Sequence, residues 1–264
     1  MIQDNDMEHV DYGEVLDLFV ALGSVLSRPA LYNLLAGYDE YAERRRAERL
    51  IQRLQRQKLI SRTGKRRDAF TICADGHLRR ATPNPAAAWQ RSWDGAWRVL
   101  TFDLPEVRRK DRKRLWQALR ARKLGLLQRS VWIWPHELQP ILSEIMEVEG
   151  LPECFCGFNA TSLFLCTAAE VVITAWDWKE IGHQHRRYLQ HLVANEQSLQ
   201  SARDLPALAR VARIERRAYE DAFLFDPLLP QSLWPPDYNG DAVQARHEAF
   251  RRLLRQRFQR LSLV

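Results

Sequence analysis

A proline-rich break at residues 82–92, TPNPAAAWQRS, limits what this chain can fold into more than any other feature. Pro83 and Pro85 have no backbone N–H to donate, so a helix or sheet formed by the preceding residues does not continue through them. The chain has 264 residues, a length that favours two or three small domains over a single core. We therefore predict a linker at 83–92.

Before the break, the hydrophobic pattern predicts three helices followed by a β-hairpin. The stretch GEVLDLFVALGSVL has apolar residues at helical spacing. Ser27 and Pro29 are typical of the start of a second, short helix, and Asp39 is placed to cap a third that runs to about Lys58. The stretch LISRTGKRRDAFTI predicts a hairpin with Gly64 at its tip. This order predicts a winged helix-turn-helix domain at 1–82.

The basic charge of the chain is concentrated in this third helix and hairpin. The formal net charge is +7, but residues 44–67 alone hold eleven Lys or Arg against one acidic residue. On the third helix, an apolar stripe is formed by Ala47, Leu50, Ile51 and Leu54. The predicted contacts to double-stranded DNA are Arg45, Arg49, Gln52, Arg53 and Arg56 on the helix and Lys65, Arg66 and Arg67 on the wing. Alternatively, any single one of these arginines lies on a solvated helix face and forms ion pairs with the acidic first 43 residues.

After the break, strands and helices alternate over about 75 residues. GAWRVLTFDLP predicts a strand, RKDRKRLWQALRARKL an amphipathic helix, GLLQRSVWIWP one strand that Pro135 ends, HELQPILSEIMEVEG a helix and TSLFLC a further strand. The pattern predicts a ferredoxin-like domain at 93–180. The remainder, 181–264, is predicted to be a helical C-terminal domain, so the fold class is α+β.

Several blocks together resemble the PaaX-type transcriptional regulators. The blocks are WDGAWRVLTFDLPEVRRKDRKRLWQALRARKLGLLQRSVWIWP, AWDW and FDPLLPQSLWPPDYNGDA, and they follow the predicted winged helix. The resemblance implies a homodimeric, DNA-binding repressor that is released by an aryl-CoA thioester. It does not identify residues that would bind such an effector.

The middle segment also resembles the small ferredoxin-like nuclease-fold subunit of CRISPR adaptation complexes. Asp103 falls on the aspartate that ends the first strand in that family, and Gln128, Ser130 and Val131 fall on a later strand. The resemblance implies an alternative function, a metal-dependent nuclease in which Asp103 residues of two subunits share Mg²⁺. We favour a structural role, in which Asp103 caps the following helix or pairs with Arg108 or Arg112. The protein is then not an enzyme.

Other patterns favour a cytoplasmic protein without a bound metal or other cofactor. The start MIQDNDMEHVDYGE lacks the features of a signal peptide, and no apolar run reaches the length of a membrane span. Cys73, Cys154, Cys156 and Cys166 form no CxxC pair, and His183, His185 and His191 are predicted to be surface residues. No hydrolase or NTPase motif is present. A third alternative function is a non-specific nucleic-acid architectural protein.

Overall fold

The computed structural model describes residues 12–65, 67–78, 84–149 and 155–262. They form a mixed α+β fold with two antiparallel sheets. The chain divides into two compact units. Of the described residues, those within Met1–Pro83, Arg186–Asp221 and Ala242–Val264 form unit 1, and those within Asn84–His185 and Ala222–Asp241 form unit 2.

Unit 1 begins with three helices and a three-stranded sheet. The elements are α1 (Tyr12–Leu22), β1 (Val25–Ser27), α2 (Arg28–Leu35), α3 (Arg44–Arg56), β2 (Ile60–Thr63), β3 (Ala69–Ile72) and α4 (Ala74–Leu78). The sheet order is β1-β3-β2, and both pairs are antiparallel. The predicted helices and hairpin are therefore present, and Ser27 caps α2 by accepting a hydrogen bond from the Ala30 amide at 3.3 Å.

The predicted cap of the third helix was wrong. Asp39 begins a separate 3₁₀ turn (Asp39–Tyr41), and α3 starts only at Arg44, after Glu43, whose side chain makes no capping hydrogen bond. The helix also ends before Lys58, which has a φ of 58°. The turn places Tyr41 in the core, so burial of an aromatic ring outweighs the local capping preference.

Long helices complete unit 1. They are α9 (Trp178–Ser201), α10 (Leu205–Ala222) and α11 (Gly240–Ser262), of which α9 and α11 begin within the residue ranges of unit 2. Gly37 lies against α10 so closely that a Cβ at this position would come within 2.3 Å of the Pro206 carbonyl oxygen. No helix among the described residues is both long enough and apolar enough to span a bilayer.

Unit 2 contains a four-stranded sheet. Its elements are α5 (Pro85–Trp89), β4 (Trp97–Phe102), α6 (Arg109–Ala121), β5 (Gly125–Gln128), β6 (Val131–Trp134), α7 (Gln139–Glu149), β7 (Phe155–Ala160) and α8 (Ala168–Ala175). The strand order is β5-β6-β4-β7. A β-α-β-β-α-β element order with this pairing is that of ferredoxin-like domains.

The central strands β4 and β6 bury side chains on both faces of the sheet, whereas the edge strand β7 is mostly exposed. Leu100 and Trp132 are opposite one another in the register and are fully buried, and Trp116 of α6 meets the Trp132 ring edge-on at 5.3 Å. Trp97 lies 6.4 Å from the Trp176 ring, which follows α8. The segment predicted as a linker includes α5, whose Trp89 is buried.

Two strand predictions in this unit were wrong. GLLQRSVWIWP forms two strands, β5 and β6, which pair with a bulge between Leu126 and Gln128 and turn at Arg129 and Ser130. TSLFLC is not a strand, because β7 ends at Ala160 and residues 161–167 are exposed and irregular. The apolar content of that hexapeptide suggested a buried strand, but its side chains find no core within the chain.

Candidate nucleic-acid interface

The outward face of α3 is formed by four polar side chains that lie opposite a buried stripe. Ala47, Leu50, Ile51 and Leu54 are buried in unit 1 as the periodicity predicts. The exposed side chains opposite them are Arg45, Arg49, Gln52 and Arg56. Helical geometry places residues at these spacings on one face, so three guanidinium groups and one amide point away from the protein.

Arg53 lies at the flank of this face rather than at its centre. Its side chain is half-buried, and Nη1 donates a hydrogen bond to the Tyr12 hydroxyl of α1 at 3.0 Å. That hydrogen bond raises the pKa of the Arg53 guanidinium. Arg44, on the other flank, lies 5.0 Å above the Tyr32 ring and 3.4 Å from the Glu48 carboxylate. Both flanking arginines are thus held by contacts within the protein.

The tip of the hairpin carries the second part of the predicted interface. Lys65 and Arg67 are exposed between β2 and β3, and Arg66 lies outside the described residues. Gly64 has a φ of 91°, and a Cβ there would come within 2.5 Å of Asp68 Oδ1, so the turn requires glycine. The exposed Arg62 on β2 was missed; strand alternation places it on the same face as the buried Ile60, so the pattern gave no signal for its exposure.

A buried ionic network connects α1 with α10 inside unit 1. The Glu14 carboxylate is 6% exposed and lies 2.9 Å from Arg213 Nε and 2.5 Å from Arg216 Nη2. Arg213 also donates two hydrogen bonds to Glu40, at 2.7 and 3.0 Å, which lower the pKa of that carboxyl group. The guanidinium of Arg213 lies 4.8 Å from the centre of the Tyr38 ring, and burial raises the Tyr38 pKa.

A cleft that is open to solvent lies beside this network. Its charged lining includes Glu14, Asp17, Arg213, Arg216 and Arg251. Acidic and basic side chains both line it, so the cleft has no single dominant sign. Its walls belong to the same unit that carries α3, so an occupant would contact the scaffold that supports the basic face.

Asp103 lies immediately after β4, and its side chain is exposed. The favoured structural role was wrong, since Arg108 pairs with Asp111 at 2.6 Å and Arg112 pairs with Glu106. The turn and helix that follow begin without a side-chain cap. Among the described residues, no group of three His, Cys, Asp or Glu side chains is placed to hold a metal ion. Asp103 of one chain is therefore not part of such a three-residue group.

Sequence reasoning also missed a buried polar cluster in unit 2. His185, predicted to be a surface residue, is 1% exposed, and its Nε2 lies 3.1 Å from Asp226 Oδ2. The Tyr238 hydroxyl donates to the same carboxylate oxygen at 2.8 Å and accepts a hydrogen bond from Trp89 Nε1 at 3.1 Å. The four side chains come from widely separated segments, and they fasten the helix containing Trp89 to the core of unit 2.

Two family descriptions match most of the chain after residue 90. The family description "PaaX protein central Cas2-like domain" matches residues 90–172, and "PaaX-like protein C-terminal domain" matches residues 176–262. The chain belongs to the PaaX-like family of transcriptional regulators.

A solved structure shares the fold. The uncharacterized protein Rv0674 from Mycobacterium tuberculosis is similar, with a TM-score of 0.58 and 19% sequence identity over 94% of this chain and 96% of that chain. No protein with a curated description matches the chain.

Proposed function

We propose that the protein is a homodimeric transcriptional repressor that binds a specific DNA sequence through a winged helix-turn-helix in unit 1. The observation that carries this proposal is the outward face of α3, where Arg45, Arg49, Gln52 and Arg56 are exposed together. Arginine and glutamine are the side chains that make paired hydrogen bonds to guanine and adenine edges in the major groove. Membership of a regulator family supports the same function. The protein then acts in the cytoplasm and by binding rather than by catalysis.

The order of elements supports a winged helix-turn-helix. In that domain a recognition helix precedes a hairpin, as α3 precedes β2 and β3 here. The recognition helix would enter the major groove, and Lys65, Arg66 and Arg67 at the hairpin tip would contact phosphates. Phosphate contacts add affinity without sequence preference, because they act by releasing counterions from DNA.

Exposed apolar side chains next to β7 support association with a second copy. Phe158 is 53% exposed, Phe164 is 83% exposed and Leu165 is fully exposed, with a φ of 68° at Leu165. β7 is an edge strand, so its outer backbone groups are open to pairing with another chain. A contiguous apolar segment at a sheet edge is typical of a protein interface.

A small effector such as an aryl-CoA thioester is the proposed signal for release. An effector changes DNA affinity only if it binds the two states of the regulator with different affinity. The cleft beside Glu14 and Arg213 is a place where an occupant would touch the scaffold of α3.

The test is a footprint on a DNA fragment that spans the promoters beside the gene for this protein. Binding is measured at fixed salt with Mg²⁺, against a scrambled competitor, with and without aryl-CoA thioesters. The proposal expects a discrete, competitor-resistant footprint on intact DNA, which is lost when one thioester is added. Equal affinity for the scrambled duplex would instead support a non-specific architectural protein. Cleavage that disappears in Asp103→Asn would support the nuclease alternative.

A further inference from the structure

The charged side chains exposed on the outward face of α6 in unit 2 are all basic. Leu115 and Leu119 are buried and fix the inward side of the helix. The basic residues whose side chains are exposed are Arg109, Lys110, Lys113, Arg114 and Arg120. At 1.5 Å per residue, the span from Arg109 to Arg120 extends about 16 Å along the helix axis.

Acidic partners are confined to the edges of this face. Arg108 pairs with Asp111 at 2.6 Å, and Arg122 pairs with Glu144 at 2.5 Å. Within the part of the chain that the structure describes, Arg109, Lys110 and Lys113 have no ion-pair partner. The charges at the centre of the face are therefore not neutralised by the protein.

The spacing of the basic residues on α6 would destabilise the helix if it were isolated. Arg109 and Lys113 are four residues apart, as are Lys110 and Arg114, and like charges at this spacing repel. A solvated helix usually alternates charge sign along its exposed face. A polyanion would convert each of these repulsions into an attraction, so a binding partner with regularly spaced negative charges explains the pattern.

We propose that the outward face of α6, centred on Arg109, Lys110 and Lys113, is a second DNA-contacting surface that binds backbone phosphates. The proposal rests on the DNA-binding function proposed above and adds a sequence-independent contact to it. Duplex DNA is favoured over an acidic protein, because the exposed positions on this face are basic, glutamine or alanine and offer no aromatic or methionine anchor. The contact supplies affinity without base recognition.

The salt dependence of binding tests this surface. A triple variant, Arg109→Gln, Lys110→Gln and Lys113→Gln, is compared with a control triple variant, Arg203→Gln, Arg210→Gln and Arg252→Gln. The control residues are also exposed and form no ion pair with an acidic group of the described residues, and the change in net charge is identical. Dissociation constants are measured at several salt concentrations for the promoter fragment and for a scrambled duplex.

Each lost phosphate contact reduces the slope of log K against log salt by about 0.9. We expect the slope of the α6 variant to become shallower by about 2 to 3 on both duplexes, with an unchanged ratio between them. The control slope should stay at the wild-type value. Thermal unfolding monitored by circular dichroism checks both folds, and Lys113→Gln alone, with an expected slope change of about 1, replaces the triple variant if it does not fold.

An unchanged slope in the α6 variant, or an equal change in the control, would overturn the proposal. An unchanged slope would favour an acidic protein as the partner of this face. An equal change in the control would show that the slope depends on the net charge of the protein and not on α6. The proposed function is tested by a different result. If wild-type protein bound the promoter and scrambled fragments equally, sequence-specific binding would fail, whereas the salt slope of the α6 variant would still test the phosphate contact.

Discussion

At the residue scale, Arg49 lies at the centre of the outward face of α3 and makes no ion pair with the described residues. We predict that Arg49→Ala weakens binding to the promoter fragment by about 1–3 kcal/mol and relaxes the preference for one base pair. The measurement is a set of dissociation constants for the fragment and its single-base variants. Arg44→Ala removes the same charge from a side chain that packs on Tyr32, and it should leave the base preference intact. Equal loss of affinity on all duplexes in Arg49→Ala would contradict base recognition.

The outward residues of α3 could be predicted from sequence, whereas their contacts could not. The 3.6-residue period fixes which side chains oppose Ala47 and Leu50, so local sequence is sufficient. Arg53 donates its hydrogen bond to Tyr12, which is 41 positions away, and no local sequence pattern predicts such a contact. Burial of His185 against Asp226 was missed for the same reason.

His136 gives unit 2 a pH-dependent stability. Burial, followed by the positive charges of Arg91 and Arg98, lowers the pKa of His136 to about 4, while Asp94 opposes the shift. Unfolding returns this pKa to about 6.5, so the unfolded chain binds more protons between these two values. The stabilisation is complete above about pH 6.5 and is lost as the pH falls towards 4.

We predict that wild-type protein loses more unfolding free energy than His136→Gln between pH 7 and pH 5. Urea unfolding followed by tryptophan fluorescence measures this difference, since the Trp134 ring lies 6.0 Å from the imidazole. Parallel losses in the two proteins would show that His136 is not the group responsible.

At the scale of elements, the ion pairs between α1 and α10 centre on the Glu14 carboxylate, with Asp17 3.7 Å from Arg216 as a second acidic group of α1. The Glu14 carboxylate forms ion pairs with Arg213, Arg216 and Arg217, and the side chains of the first two are largely buried. Removing one partner of a buried ion pair costs about 3–5 kcal/mol, and the low end applies here because Arg213 keeps Glu40 and Arg216 keeps Glu220.

We predict that Glu14→Ala lowers the free energy of unfolding by about 3 kcal/mol. Glu48→Ala removes a carboxylate from the exposed pair with Arg44 and should cost less than about 1 kcal/mol. Denaturant unfolding of the two variants and wild type gives both values. Similar small losses in both variants would mean that water or neighbouring groups compensate the arginines.

Element boundaries show where sequence patterns reach their limit. α3 and α6 could be predicted because each buries one face, and the spacing of its apolar residues reflects that burial. The β5–β6 turn was missed because it contains no Gly, Pro, Asn or Asp, and apolar residues precede Gln128 and follow Ser130. The segment 161–166 was wrongly predicted to be a strand, because its apolar residues suggested burial, whereas they are exposed in the structure.

At the scale of the whole molecule, each unit is assembled from segments far apart in sequence. Residues 186–221 join the unit that contains the N-terminal helices, and residues 222–241 join the unit that contains the second sheet. A division based on breaks in the sequence cannot find such a grouping, because it depends on contacts over more than a hundred positions. The proposed dimer likewise concerns the whole molecule, because it would bring two DNA-binding segments together.

A dimer that presents two recognition helices should be sensitive to the rotational phase of its half-sites. Inserting 5 base pairs between the half-sites of the footprint turns one of them to the opposite side of the duplex, whereas inserting 10 restores the phase. We predict that affinity falls strongly with the first insertion and recovers with the second. Band-shift titrations on the three duplexes measure this.

The double variant Phe164→Ser and Leu165→Ser links this behaviour to the exposed apolar segment after β7. Both side chains are exposed in the single chain, so their replacement should leave the fold intact and act on association alone. We expect the variant to sediment as a monomer and to bind all three duplexes with the same, weaker affinity, because one recognition helix does not sense half-site phase. A variant that remains dimeric and keeps the phase dependence would place the dimer interface elsewhere. Insensitivity to phase in the wild type would mean that its two DNA-binding segments are not fixed relative to each other.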